Sequence, residues 1–171
     1  REGCYVCHSQ TVRSMVSESL RYGRVSEATE YIYDRPFQWG SRRVGPDLHR
    51  IGGKYPDMWH YRHMLDPRLV TPGSIMPSYP WLFTNKTDYS VLKRKMSAQV
   101  ALGTPYTEAE VENSVEDAKA QASDIMERLK ESNVPESMKD KQIIALIAYL
   151  QRLGTDLGNE VILDEAEGKG E

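Results

Sequence analysis

A mostly α-helical domain is the fold class that the sequence predicts, on three observations. Apolar residues recur at alternating gaps of three and four between residues 111 and 129, which is the spacing of one helix face. A second apolar stripe occupies residues 140–153 and ends at Gly154, a residue type that commonly terminates helices. Strict alternation of apolar and polar residues, the signal of a half-buried strand, is scarce. The length of 171 residues suffices for one domain with a core.

The first element carries the motif Cys4-x-x-Cys7-His8, which is typical of covalent haem attachment. Each thiol can add to one vinyl group of the porphyrin, and the two intervening residues let the chain reach both groups. The imidazole of His8 then lies under the iron as the proximal ligand. The motif therefore predicts a haem c.

Two other kinds of site could use the same cysteines. A zinc site would need two more Cys or His ligands, which His60 and His63 could provide. A thioredoxin-like redox pair normally follows a strand in a βαβ unit, which the sequence does not show. The adjacent histidine favours haem.

A short helix or irregular turn is predicted for residues 8–20, and a loop for residues 21–45. In that loop Trp39, Arg42 and Arg43 are candidates for the haem propionates, because these anions favour charge-assisted donors. A packed tryptophan and solvated arginines are an equally weighted alternative.

The dipeptide Gly45-Pro46 marks a turn. Pro46 has no N–H group, so we expect its neighbourhood to direct a carbonyl toward Nδ1 of His8. Such a hydrogen bond would fix the orientation of the imidazole.

A proline-flanked methionine is the candidate for the second axial ligand. The pattern predicts a short helix over residues 57–65, followed by an extended loop over about 67–82, because prolines and a glycine there forbid regular helix. Met76 lies in this loop, and a thioether is a common distal ligand of electron-transfer haems. The alternatives are His60 or His63 as the ligand, with Met76 simply packed on the core.

A helical insertion is predicted at about residues 83–139, before the last helix at 140–153. It contains a helical pattern over 87–102 and a capping box from Thr107 to Glu110, after which the apolar stripe begins. We expect residues 1–156 to form one domain and residues 157–171 to be an acidic, disordered tail.

Charge is distributed unevenly along the chain. Residues 1–82 carry 11 Lys and Arg against 8 Asp and Glu, whereas residues 83–171 carry 11 against 17. No basic stripe interleaved with aromatic residues is present, so nucleic acid is not an expected partner. No apolar run approaches the ~20 residues that span a bilayer.

Several separate motifs occur in one order: REGCYVCHSQ, YDRPFQWGSRRVGPDLHRIGGKY, SIMPSYPWL, LGTPYTEAEV and a terminal AYLQRLG. Together they resemble a class I c-type cytochrome domain and, more narrowly, the mono-haem subunit (subunit II, FixO-like) of cbb3-type cytochrome c oxidases. The resemblance runs from residue 1 to about residue 156.

This resemblance implies a haem held by Cys4 and Cys7, with His8 and Met76 as axial ligands. It implies an electron relay from a di-haem cytochrome c subunit or a soluble donor cytochrome to the haem–copper catalytic subunit, with no catalytic residue in this chain. It also implies a periplasmic domain at the bacterial inner membrane, anchored by a helix upstream of residue 1. His49 stands where the family leads us to expect a small or apolar residue, and it is interpreted as a surface substitution without consequence.

Two electron-transfer alternatives share the same haem chemistry. One is a free-standing soluble periplasmic cytochrome c shuttle, and the other is the mono-haem subunit of a nitric oxide reductase. The DRPFQWGSRRVGPDL motif and the long insertion favour the oxidase subunit.

Overall fold

The computed structural model describes residues 2–155, which form helices joined by loops. The α-helices of this part are α1 (Val16–Tyr22), α2 (Asp57–Leu65), α3 (Trp81–Thr84), α4 (Leu92–Ala101), α5 (Glu108–Lys130) and α6 (Gln142–Arg152). Short 3-10 helices cover Cys4–Val6, Ala28–Tyr31, Pro67–Leu69, Tyr89–Val91 and Glu136–Met138. Residues 2–155 contain no β-strand, so the prediction of a mostly α-helical fold is confirmed. The predicted tail at 157–171 lies outside the described residues.

The chain divides into two compact units. Among the described residues, the first comprises 2–54 together with 150–155, and the second comprises Tyr55–Tyr149. The sequence motif with Cys4, Cys7 and His8 belongs to the first unit, and Met76 belongs to the second. That residues 1–156 form one domain stays a prediction.

In the second unit the core lies between α5 and α6. Ala122, Ile125 and Leu129 of the predicted stripe on α5 are buried. The core cluster consists of Leu82, Ala122, Ile125, Met126, Leu129, Val134, Ile143, Ile144 and Ile147. The long helix is thus held by its apolar face, while Glu112, Glu116 and Asp117 are exposed, as expected for a solvated acidic face.

The start of α5 has the predicted capping box. Thr107 Oγ1 accepts a hydrogen bond from the Glu110 N–H at 3.3 Å, and Glu110 Oε2 accepts one from the Thr107 N–H at 2.7 Å. Two N–H groups that lack a partner within the helix are thereby satisfied. Farther along, Nε of Arg128 donates to Oδ2 of the buried Asp57 at 2.6 Å and so ties α5 to α2.

The helix predicted over residues 87–102 begins later than expected. Asp88 Oδ1 accepts hydrogen bonds from the backbone N–H of Ser90 at 3.0 Å and from its hydroxyl at 2.6 Å. This side-chain cap favours a 3-10 turn at Tyr89–Val91, and regular α-helix starts only at Leu92.

The end of α6 agrees with the prediction. Gly154 follows the helix with φ of +76°, in the left-handed region that glycine adopts without strain. A Cβ at this position would overlap the carbonyl oxygen of His49. Close by, the N–H of Gly52 donates to the Leu153 carbonyl at 3.1 Å. Leu153 and Gly154 therefore pack tightly on residues 49–53 of the same unit.

Candidate haem site

The two cysteines lie on one tight turn of the first unit. The backbone N–H groups of Cys7 and His8 both donate to the Cys4 carbonyl, at 3.1 Å and 2.8 Å. This turn starts at Gly3, which has φ of +74°. Both thiols are free and half-buried, and burial raises the pKa of the Cys4 thiol. The motif therefore presents two uncommitted thiols within one helical turn of the histidine.

His8 is oriented by a single strong hydrogen bond. Its Nδ1 lies 2.7 Å from the carbonyl oxygen of Pro46. Because a carbonyl can only accept, Nδ1 carries the proton, and Nε2 is left with the lone pair that binds a metal. The hydrogen bond also makes the imidazole a more basic ligand.

Gly45 packs directly on the imidazole. A Cβ added to Gly45 would overlap Cε1 of His8 and lie 2.7 Å from both ring nitrogens. The N–H of Gly45 also donates to the Cys7 carbonyl at 2.8 Å. The sequence predicts only a turn at residue 45, because no local pattern encodes its contact with His8 across 37 positions.

The arginine at position 43 is engaged within the first unit. Its Nε donates to Ser9 Oγ at 2.6 Å and its Nη2 to the Thr11 carbonyl at 2.7 Å. Glu18 accepts from both terminal nitrogens of this guanidinium. These hydrogen bonds lower the pKa of Glu18 and raise the pKa of Arg43. Most of the donors of Arg43 are therefore occupied by protein groups.

The other two propionate candidates are more accessible. Arg42 is exposed. Trp39 is 48% exposed, and its ring stacks on Phe37 at 4.9 Å and meets Tyr31 edge-on at 5.7 Å. A role for Trp39, Arg42 or Arg43 at the propionates stays a prediction.

His49 is a buried residue, so its interpretation as a surface substitution is wrong. Its side chain is 2% exposed and stacks on Tyr31 at 4.7 Å between ring centroids. Nδ1 is hydrogen-bonded to the hydroxyl of Ser26 and lies 3.3 Å from that of Tyr31. The polar ring is tolerated there because its nitrogen has partners.

We expect His49 to make stability depend on pH. Burial, followed by the charge of Arg50, lowers the pKa of His49, so the folded protein does not bind the proton that the unfolded chain binds near pH ~6.5. Above that pH both states are neutral; below it, the free energy of unfolding should fall by up to about 1.4 kcal/mol per pH unit. His49→Phe, which keeps a stacking ring, should flatten this slope.

Urea unfolding between pH 5 and 7.5 measures the effect. Burial also lowers the pKa of His60, so part of the slope should remain in the variant. Glu18 and Glu30 have lowered pKa values and titrate below this window. A His49→Phe slope equal to that of the unsubstituted protein would contradict the assignment.

Met76 lies in the second unit, in a non-helical segment between Pro67–Leu69 and α3. It is half-buried, and its N–H donates to Ser74 Oγ at 3.2 Å. The segment is attached to α2 by a hydrogen bond from the Tyr79 N–H to the Met64 carbonyl at 3.0 Å. Met126, by contrast, is 1% exposed within the core. Met76 is not among the side chains that pack on the core of the described residues.

The second unit also contains a buried histidine with an unsatisfied nitrogen. His60 is 1% exposed, and its Nε2 has no hydrogen-bond partner among residues 2–155. Its ring makes T-shaped contacts with the rings of Trp59 and Tyr55, at 5.3 Å and 6.3 Å between ring centroids. Because buried polar atoms are nearly always paired in folded proteins, Nε2 of His60 is a candidate contact for a cofactor.

No group of three or more His, Cys, Asp or Glu side chains within the described residues could hold a metal ion by itself. In the same range, none of the helices combines the length and the apolar character needed to traverse a bilayer.

The residues of the first unit fit a haem. Two free thiols lie on one turn, separated by the two residues that haem attachment uses, and the hydrogen bond at Nδ1 leaves Nε2 of His8 available to bind iron. A sequence model of the family described as "Cytochrome C oxidase, mono-heme subunit/FixO" matches residues 1–157. No curated protein matches the chain.

Proposed function

Because the chain belongs to the FixO family, the mono-haem electron-transfer subunits of cbb3-type cytochrome c oxidases, we propose that it holds one covalently bound haem c on the periplasmic side of the inner membrane. Electrons would reach it from the di-haem cytochrome c subunit or a donor cytochrome and leave to the haem–copper catalytic subunit. Membership in this family favours an oxidase subunit over a free-standing cytochrome c shuttle or a nitric oxide reductase subunit.

The observation that carries the haem c assignment is the folded Cys4–His8 turn. Both thiols of this turn are free, and each can add across one vinyl group, with sulfur bonding to one carbon and the thiol hydrogen to the other. Such an addition needs no oxidant or reductant. The bound haem supplies reversible one-electron chemistry between ferrous and ferric iron.

On the proximal side, His8 offers Nε2 while the Pro46 carbonyl holds its other nitrogen at 2.7 Å. This hydrogen bond raises the basicity of the imidazole and favours the ferric state. On the distal side we assign Met76, whose soft thioether favours the ferrous state. With His8 and Met76 both bound to iron, no position would be open to a substrate, so the protein would be suited to electron transfer.

We assign the contacts with the haem propionates to the loop before Gly45. Trp39 can donate from its indole N–H, and exposed Arg42 can pair with a propionate. Arg43 would act mainly through its one remaining donor, since its other N–H groups bind Ser9, Thr11 and Glu18. Anchoring to the membrane is assigned to a helix upstream of residue 1.

The covalent haem is tested on protein matured together with the bacterial c-haem assembly machinery. We expect a haemochrome spectrum of the c type, and haem that stays with the polypeptide after acidic acetone extraction. The control is Cys4→Ser/Cys7→Ser, which cannot form a thioether and should release its haem. Haem that is extractable from the unsubstituted protein would refute the covalent assignment.

The relay is tested in the assembled oxidase. Rapid mixing with the reduced donor should reduce this haem before the haems of the catalytic subunit. If the catalytic subunit is reduced at the same rate in a complex that lacks this chain, the relay assignment fails.

A further inference from the structure

We propose that Asp47 is a positioning residue for the proximal ligand: its carboxylate holds the segments that carry His8 and Pro46 in register and thereby sets the hydrogen bond at His8 Nδ1. This inference rests on the proposed function, since it concerns the haem that His8 would ligate.

Asp47 joins the two segments through two hydrogen bonds, and a third fixes the carboxylate to its own segment. It is 5% exposed. Its Oδ2 accepts from Ser9 Oγ and from the Thr11 N–H, both at 2.7 Å, and its Oδ1 accepts from the His49 N–H at 2.9 Å. One carboxylate thus binds the residues that follow His8 to the residues that follow Pro46.

Backbone hydrogen bonds flank this link on both sides of the ligand. The Gly45 N–H donates to the Cys7 carbonyl at 2.8 Å, and the Leu48 N–H donates to the Ser9 carbonyl at 2.9 Å. His8 therefore lies between Cys7 and Ser9, whose carbonyls accept these bonds. Pro46 lies between Gly45 and Leu48, whose N–H groups donate them. The separation of Nδ1 and the Pro46 oxygen follows from this register, which Asp47 reinforces together with Arg43, whose guanidinium binds Ser9 Oγ and the Thr11 carbonyl.

A buried carboxylate is costly unless it is paired, and Arg43 provides the pairing. Its Nη2 lies 3.6 Å from Oδ2 of Asp47, and its Nε donates to Ser9 Oγ at 2.6 Å, the same hydroxyl that Asp47 holds. Glu18 takes the remaining side of the guanidinium. The arrangement places the positive charge of Arg43 beside the carboxylate of Asp47, whose Oδ2 is directed at residues 9 and 11.

The consequence for the haem follows from ligand basicity. A short Nδ1–H···O bond gives the imidazole imidazolate character, which stabilises ferric iron. Loosening the register should lengthen this bond, speed exchange of the Nδ1 proton and raise the midpoint potential.

Asp47→Asn is the first variant, because asparagine keeps the shape but has one acceptor oxygen and no charge, so it cannot serve both Oδ2 and Oδ1 partners and binds those it keeps more weakly. Loss of a negative charge would also raise the potential, so Glu18→Gln serves as a control that removes a carboxylate from the same ion cluster. Ser9→Ala is the second test: it deletes one bond to Asp47 with no change of charge.

The readouts are the midpoint potential and the hydrogen-exchange rate of His8 Nδ1–H, measured by NMR on the reduced protein. We expect faster exchange and an upward potential shift in Asp47→Asn that exceeds the shift in Glu18→Gln. Ser9→Ala should show a smaller change in the same direction, and Glu18→Gln should leave the exchange rate unchanged.

Unchanged exchange in Asp47→Asn would overturn the inference. If Asp47→Asn does not load haem, unchanged exchange in Ser9→Ala overturns it instead. A c-type haemochrome in the unsubstituted protein keeps the proposed function intact in either case, whereas its absence refutes the function itself.

Discussion

Replacing Met76 by alanine is expected to lower the midpoint potential by roughly 0.1–0.3 V, within the ~0.8 V range over which axial ligands act. The thioether donates little charge to ferric iron but stabilises ferrous iron, so its loss favours the oxidised state. The weak near-infrared charge-transfer band between methionine and ferric iron should disappear as well. Both are measured on purified haem-loaded protein, by redox titration and by absorption spectroscopy.

A matched control is Met138→Ala, because Met138 is half-buried and packs on the core of the second unit. This variant should lose stability while keeping the potential and the near-infrared band. If Met76→Ala instead leaves the potential unchanged and His60→Phe changes it, the distal ligand is His60, whose buried Nε2 is then explained by the iron.

Gly45→Ala is expected to disrupt the proximal side more severely than any conservative change nearby. The added methyl group would occupy the position of Cε1 of His8, so either the ring or the 44–47 segment must move. Movement of either one breaks the hydrogen bond between Nδ1 and the Pro46 carbonyl. We expect a several-fold loss of haem-loaded protein and a fall of about 1–3 kcal/mol in the free energy of unfolding.

The control separates this contact from the conformational freedom of glycine. Gly53 has φ of +68°, and a Cβ there would meet nothing within 4 Å. Gly53→Ala should therefore cost about 1–2 kcal/mol of backbone strain and leave haem loading unchanged. Equal loading in Gly45→Ala and the unsubstituted protein, measured as the ratio of Soret to protein absorbance, would contradict the steric account.

Local patterns predicted much of the helical structure. The α2 helix has the predicted bounds of 57–65, the capping box at Thr107 is present, and Gly154 ends the last helix region. These features depend on residues within one or two turns of each other, where spacing alone determines which side chains meet. The cysteine and histidine spacing of the haem motif is local in the same sense.

Contacts between distant positions could not be predicted in this way. Arg43 has no sequence signal that selects Glu18, which lies 25 positions away, over a propionate. His49 reads as a polar residue in a turn, yet tertiary packing buries it against Tyr31. In both cases the partner is set by how the loop of the first unit folds back on itself, which the local pattern of a single sequence does not specify.

An isolated antiparallel bridge between Lys86 and Lys141 brings together the two ends of a long segment of the second unit. The Thr87 N–H donates to the Asp140 carbonyl at 2.8 Å, and the Gln142 N–H donates to the Asn85 carbonyl at 3.1 Å, around this isolated antiparallel bridge. Residues 87–140 thus leave and rejoin the rest of the second unit at one point, which is the arrangement we expect of a helical insertion.

The parts of the segment 87–140 should differ in how well they tolerate insertions and deletions. The C-terminal half of α5 supplies Ile125, Met126 and Leu129 to the core, so its loss would expose apolar surface. The connection between α4 and α5 includes Leu102, which is 65% exposed. Homologues should therefore differ in length at that connection while retaining the second half of α5, and foreign sequences could be grafted there with little effect on folding.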